Sequence, residues 1–419
     1  MRSEREATNE GRLGTMHLSL TAANRLAIPV LAALIAGCSN TTSVAQALPR
    51  ASPDAIQPVE RVRSGRDVAV EFAYVTNFGS MNVSAYSIAP GGALTPLAGS
   101  PFRAGTDPWG IAIDPMGRFA YTANLGSNDV SAYTIDAMSG ALRRVKGSPF
   151  ATGSSPIGVA VEPSGKFAYV IDFGSNNVSA YSIDANSGAL TPVSGSPFKT
   201  GLEPFSVAVD PTGKFAYVAN YGSNNVCAYT ISTTSGALTP IKGSPFAAGF
   251  SPRSVAVHPN GKFAYVASYG SDNIYGFTID AASGALKPLP GSPFAEGYVP
   301  ESLTIAPTGR FAYAPNSSLK TFSNISAYTI DSTRGALSPV AGSPFKDGNN
   351  TSNPAFGVVD SVGRFAYFSN NGSNDVSAYR IVPSGALRKI KGSLFAAGTY
   401  PTVISVCRVT AGKCVPPPL

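Results

Sequence analysis

The sequence is poor in charge, in histidine and in cysteine. Charged residues make up 13% of its 419 positions, against 43% that are hydrophobic. Aromatic content is 10% and the apolar positions recur regularly, which excludes a disordered chain. Beyond residue 37 there is no dense run of lysine or arginine. The net charge of +7 is spread thinly, so the electrostatic footprint of a nucleic-acid-binding protein is missing. Two histidines and four cysteines, none at zinc-ligand spacing, leave no metal cluster to expect. No stretch sustains a 3.6-residue apolar period, so essentially no helix is expected. No glycine-rich loop opens onto a helix to cradle a nucleotide phosphate, and no cofactor is expected.

What the chain has in abundance is glycine, 43 residues, and proline, 34 residues. That mixture points to many short strands joined by tight turns. The word Phe-Ala-Tyr sets the register. It begins at Phe72, Phe119, Phe167, Phe215, Phe263, Phe311 and Phe365, at intervals of 47, 48, 48, 48, 48 and 54 residues. The unit from Glu203 to Gly249 is predicted to hold four strands: A at 207–209, B at 215–219, C at 226–231 and D at 237–241. Asp210-Pro211-Thr212-Gly213 makes the A–B turn, because proline presets φ and glycine accepts a positive one. The Gly243-Ser244-Pro245-Phe246 word is expected to lead to the next unit.

A sheet this small cannot bury both faces alone. Stacking seven of them around an axis solves that and leaves only short edges. A linear solenoid would need atypical capping repeats, and none is seen. The predicted fold is therefore all-β, a seven-bladed β-propeller of four-stranded blades over residues 66–415. The first unit lacks a clear strand A before Phe72, while Tyr400-Pro401-Thr402-Val403-Ile404-Ser405-Val406 reads as a spare one. The C-terminal strand is expected to complete the first blade.

The start of the chain reads as a targeting segment. Arg25, an apolar run from Leu26 to Leu34, and Ile35-Ala36-Gly37-Cys38 have the order of a secretory signal, with the run too short for an ordinary membrane span. Ile-Ala-Gly-Cys resembles the bacterial lipobox. Residues 1–38 are thus expected to be a signal segment, with Met16 the better start, and Cys38 the lipidated residue. Residues 39–65, rich in Ser, Thr, Pro and Ala, would be a flexible tether. The expectation is an exported, envelope-located monomer that meets the membrane only through its lipid.

Tyr74-Val75-Thr76-Asn77, followed by Gly79-Ser80 and Asn82-Val83, resembles the YVTN-type propeller repeat. The Asp-Pro-x-Gly-x-Phe-Ala-Tyr unit is similar to that of the seven-bladed lactonase family, which includes cytoplasmic 6-phosphogluconolactonases and a fungal muconate-cycloisomerising enzyme. The resemblance covers residues 66–409. It implies an active site at the channel mouth built from His, Glu and Arg side chains. The sequence departs from that set. His17 lies in the leader, and His258 occupies an A–B turn position that Asp114 and Asp210 hold elsewhere, on the opposite face.

In a propeller the innermost strand lines the channel, so the residue after the proline that opens strand A lies at the mouth. The series is Trp109, Ile157, Phe205, Arg253, Glu301, Ala355 and Thr402. Only Arg253 and Glu301 are charged, and they belong to neighbouring blades. Glu301 could activate water as a general base, and Arg253 could hold the oxyanion formed when a lactone carbonyl is attacked. Trp109 and Phe205 would offer flat faces to a ring. The same residues also suit a structural ion pair between packed aromatics. Three-residue insertions near 317–323 and 349–353 fall in the same sector, where loops on a rigid scaffold carry function.

Asp129, Asn176, Asn224, Asp272 and Asp375 in the B–C loops read as Asx turns rather than Ca²⁺ ligands. Cys407 and Cys414 could form a disulfide pinning the closing strand. Two functions remain open: an exported hydrolase of a small lactone or cyclic ester, and a non-catalytic envelope propeller recognising a glycan, a peptide or a protein.

Overall fold

A computed structural model describes residues 70–295, 299–317, 323–347, 352–410 and 413–416. The signal segment, Cys38 and the tether lie outside the described residues. Seven small antiparallel sheets follow one another around an axis. In the unit read above, strand A runs Pro204–Val209, B Phe215–Asn220, C Asn225–Ile231 and D Leu238–Pro240. The one helical turn among the described residues is a 3-10 turn at Tyr269–Ser271.

Strand D differs from the expectation. It stops at Pro240, and a separate short strand, Phe246–Ala247, continues the edge. After the Gly-Ser-Pro word the chain returns to strand C, where Ala247 pairs with Asn225 and Phe246 with Val226. The reason is local chemistry. Proline has no amide hydrogen to give the ladder, and Ser244 Oγ instead accepts from the Ala228 N–H at 2.9 Å. The outermost strand is therefore one strand in two pieces.

Strand B is buried along its whole length in six blades, and in the sixth blade up to its last residue, Ser317, since both of its faces press against neighbouring sheets. Phe215, Tyr217 and Ala219 of one blade pack with Val255, Val257, Ala264 and Phe277 of the next. The tyrosine of each Phe-Ala-Tyr word also donates to a glycine carbonyl in the C–D turn of the following blade. Examples are Tyr74 to Gly140 at 2.9 Å and Tyr217 to Gly284 at 2.9 Å. Gly140 has φ +69°, and a Cβ there would lie 2.6 Å from the Phe72 ring, so only glycine fits. Tyr367 of the seventh blade donates to Gly92 of the first, at 3.0 Å, and the ring of bonds closes.

Closure also runs through the backbone. Pro401–Thr410 pairs antiparallel with Glu71–Asn77 and supplies the first blade's inner strand. Cys407 and Cys414 are bonded across the hairpin that follows, with Cα atoms 5.2 Å apart. The B–C loop asparagines do more than close local turns. Asn176 Oδ1 accepts from the Glu203 N–H and Asn224 Oδ1 from the Ser251 N–H, at 2.7 and 2.8 Å, tying each blade to the next.

Candidate active site

Each inner strand opens with a proline followed by a bulge. The pairing with strand B shifts between Pro156 and Gly158, Pro204 and Ser206, Pro252 and Ser254, and Pro354 and Phe356. The extra residue is the mouth position itself. A bulge re-aims its side chain, here across the axis instead of along the sheet face. Several of these side chains meet: Trp109 with Phe205, Phe205 with Arg253, and Arg253 with Glu301. Ile157, Phe205, Arg253, Ala355 and Thr402 are buried, while Trp109 and Glu301 stay half-exposed. This end of the channel has a floor.

Arg253 and Glu301 are brought together as an ion pair between Arg253 Nη1 and Glu301 Oε2, with side chains only 9% and 14% exposed. The other carboxylate oxygen, Oε1, accepts from the Ser317 hydroxyl. Ser317 ends strand B of the sixth blade, beside the longer B–C loop. The sixth inner strand is broken to allow this. It consists of Val299–Pro300 and Thr304–Ile305, and Glu301 lies in the gap.

The guanidinium carbon of Arg253 sits 3.7 Å above the Tyr269 ring, 5.3 Å from the Phe205 ring centre and 5.6 Å from that of Tyr221. Burial disfavours its charge. Glu301, Tyr269 and Tyr221 outweigh that, and Arg253 titrates above the ordinary arginine range. Burial and the Glu301 carboxylate push the Tyr400 phenol up, with Arg253 opposing, so Tyr400 shares the same field.

The aromatic residues form one chain of contacts, edge-to-face except for the tilted Phe205–Tyr221 pair. Trp109 lies 6.1 Å from Phe205 and 5.8 Å from Phe78, and Phe205 lies 6.3 Å from Phe173 and 6.1 Å from Tyr221. Phe205 is enclosed by its neighbours and serves as floor. Trp109 faces the solvent side. Phe78, Phe173, Tyr221 and Tyr269 are a second ring that the strand-A column does not reveal. They occupy the position before the glycine of each B–C loop, and reading that column across the repeats picks them out.

His258 is on the far face, as the repeat requires. Its Nδ1 accepts from the Asn260 N–H at 3.1 Å, and its Nε2 is 2.8 Å from the Gly309 carbonyl of the next blade. It joins two blades and is remote from the mouth. Two basic residues of that face are locally offset, Arg118 by Asp114 at 3.1 Å and Arg364 by Asp360 and Glu71 at 3.2 Å each. A cavity of about 280 Å³ occupies the far half of the channel and is lined by later strand-A residues such as Ile113, Val209, Ala256 and Ile305. It touches neither Arg253 nor Glu301. No group of three or more potential metal ligands exists among the described residues.

The family described as "Lactonase, 7-bladed beta-propeller" matches residues 67–202 and 199–390. The chain belongs to this lactonase family. Solved structures agree on the fold. A protein of Bacteroides uniformis, provisionally named a 6-phosphogluconolactonase, is 18% identical, with 81% of this chain and 99% of that one covered at a TM-score of 0.69. A similarly named protein of Bacteroides fragilis is 20% identical, with 82% and 99% covered and a TM-score of 0.68. The periplasmic gluconolactonase of Pseudomonas aeruginosa is 18% identical, with 80% and 99% covered and a TM-score of 0.66. No curated protein matches the chain. The mouth of this chain pairs Arg253 with Glu301 and, among its described residues, holds no histidine.

Proposed function

We propose that this member of the lactonase family is an exported, lipid-anchored hydrolase of a small lactone, working at the Arg253–Glu301 mouth. The supporting observation is that the two charged residues of the mouth ring, from neighbouring blades, lie in contact, and that Glu301 sits where the inner strand of its blade is interrupted. A structural ion pair needs no such break. In the reaction, Arg253 exchanges Glu301 for the lactone's carbonyl oxygen and holds the negative charge that develops there. Glu301, released, takes a proton from water as the water oxygen bonds to the carbonyl carbon. The ring C–O bond breaks, the proton passes to the departing alkoxide, and a hydroxy acid leaves. Ser317 keeps the carboxylate oriented through its other oxygen. Cys38 would hold the enzyme at the membrane.

The test is acid release in a pH-stat with a panel of lactones. Turnover is expected, with kcat lowered at least about 100-fold in Glu301→Gln. Absence of turnover on every lactone, by a folded protein, would favour the second reading, a binding propeller of the envelope for a glycan, a peptide or a protein. That reading draws on the burial of Arg253 and on the missing histidine.

A further inference from the structure

We propose that the mouth takes a neutral lactone carrying an apolar substituent, and that Leu202 and Phe250 receive that substituent; this rests on the reading of Arg253 and Glu301 as a lactone-hydrolysing pair. The first argument is charge. Among the described residues of the strand-A openings, the residues just before them and the B–C loop ring, Arg253 is the single cation. It is engaged by Glu301 and by the Tyr269 ring. Against it stand the carboxylates of Asp107, Glu203 and Glu301. Among the described residues, the cations elsewhere near this end, Arg103, Lys199 and Lys346, lie on the outermost strands, away from the axis; Lys320 of the sixth B–C loop lies outside the described residues. A phosphorylated sugar lactone would bring two negative charges to a ring that is already net acidic, with no free bidentate partner for its phosphate.

The second argument is where apolar surface is exposed. Leu202 and Phe250 are 58% and 62% exposed, and among the described large hydrophobic side chains only Met138 is more so. They occupy one position of the repeat, the second residue before the strand-A proline. The equivalent residues are polar in four other blades, Thr106, Ser154, Ser352 and Thr399, and Tyr298 in the sixth. Leu202 precedes the inner strand of the fourth blade and Phe250 that of the fifth, which carries Arg253. Leu202 packs over Gly222, next to Tyr221, and Phe250 over Gly270, next to Tyr269. These are the tyrosines that hold the Arg253 guanidinium. Apolar rim and reactive pair thus share one sector, and a lactone with its carbonyl at Arg253 would lay an alkyl or aryl tail over that rim.

The experiment compares δ-decalactone, δ-valerolactone, gluconolactone and 6-phosphogluconolactone with the full chain. Turnover is read in the pH-stat, and binding is read separately from the fluorescence of Trp109, the only tryptophan in the chain. The expected result is a kcat/KM about tenfold higher for δ-decalactone than for δ-valerolactone, from the added buried methylenes. The phosphorylated sugar lactone should be the poorest substrate at low salt. In Leu202→Ser/Phe250→Ser the chain-length ratio should collapse to about twofold or less. Preference for the phosphorylated lactone, or a chain-length ratio that survives the double substitution, would overturn the inference while leaving hydrolysis standing. Absence of turnover would remove the hydrolase reading, and the Trp109 titration would still decide whether δ-decalactone outbinds the phosphorylated sugar.

Discussion

Blades four and six are written in the same words and differ at the axis. In blade four the inner strand is continuous over Pro204–Val209, and its mouth residue, Phe205, packs into the floor. In blade six it breaks into Val299–Pro300 and Thr304–Ile305, and its mouth residue is a carboxylate in an ion pair. Strands B and C scarcely register the change. Tyr217 reaches Gly284 at 2.9 Å and Tyr313 reaches Gly385 at 3.0 Å, so the contact between blades is the same. The lesson is a division of labour. Strands B and C are pressed between neighbouring sheets and cannot vary. Strand A has one edge facing the axis, unpaired within its own sheet, and tolerates a break where chemistry is wanted.

The comparison is broken most forcefully at Arg253. Arg253→Met strands the Glu301 carboxylate in a largely buried place and should cost about 3 kcal/mol, seen in urea unfolding. Arg253→Met/Glu301→Gln should recover most of that loss. If the double variant is no more stable than the single, the pair is not coupled as described.

Asp172 sharpens the comparison within the regular blades. Its position at the end of strand B is asparagine at Asn77, Asn124, Asn220, Asn316 and Asn370. Asn220 donates to Asn225 Oδ1 at 2.8 Å, whereas Asn177 Oδ1, facing Asp172, has no donor. Burial pushes the Asp172 carboxyl up to about 6, from 3.8, despite hydrogen bonds from Ser179 and Thr152. The folded state therefore holds the proton more tightly than the unfolded one. Stability tied to this group is highest below the unfolded value, falls as pH rises towards 6, and stays lost above it. Asp172→Asn should raise stability at pH 7 by about 2 to 3 kcal/mol and flatten the pH dependence between about 4 and 6. Thermal melts across that window, unchanged by the substitution, would refute the assignment.

At the seam, Cys414→Ser opens the disulfide beside the closing strand and should cost about 2 kcal/mol, measured against wild type under reducing and oxidising conditions. The smallest effect is expected from Tyr217→Phe and Tyr313→Phe. Each removes one buried hydroxyl bond, for about 1 kcal/mol. Equal losses in the two are what a shared blade contact requires; a much smaller loss at Tyr313 would mean that the broken inner strand loosens blade six throughout.

The sequence by itself determined the blade count, the register and the closing strand. Phe-Ala-Tyr recurs because strand B must fill the same space between two sheets seven times, and a repeated contact leaves a repeated word. It also brought Arg253 and Glu301 to neighbouring positions on one ring, since the proline before each strand A marks the level. Tertiary structure alone decided what those residues touch. The bulge after each proline turns the mouth side chains across the axis, so that Trp109 meets Phe205 from two blades away, and no spacing along the chain encodes that distance. The stacking of Arg253 on Tyr269 and the bond from Ser317 to Glu301 join residues from different columns of the repeat. A column shows what recurs, and only the folded ring shows which exceptions have become neighbours.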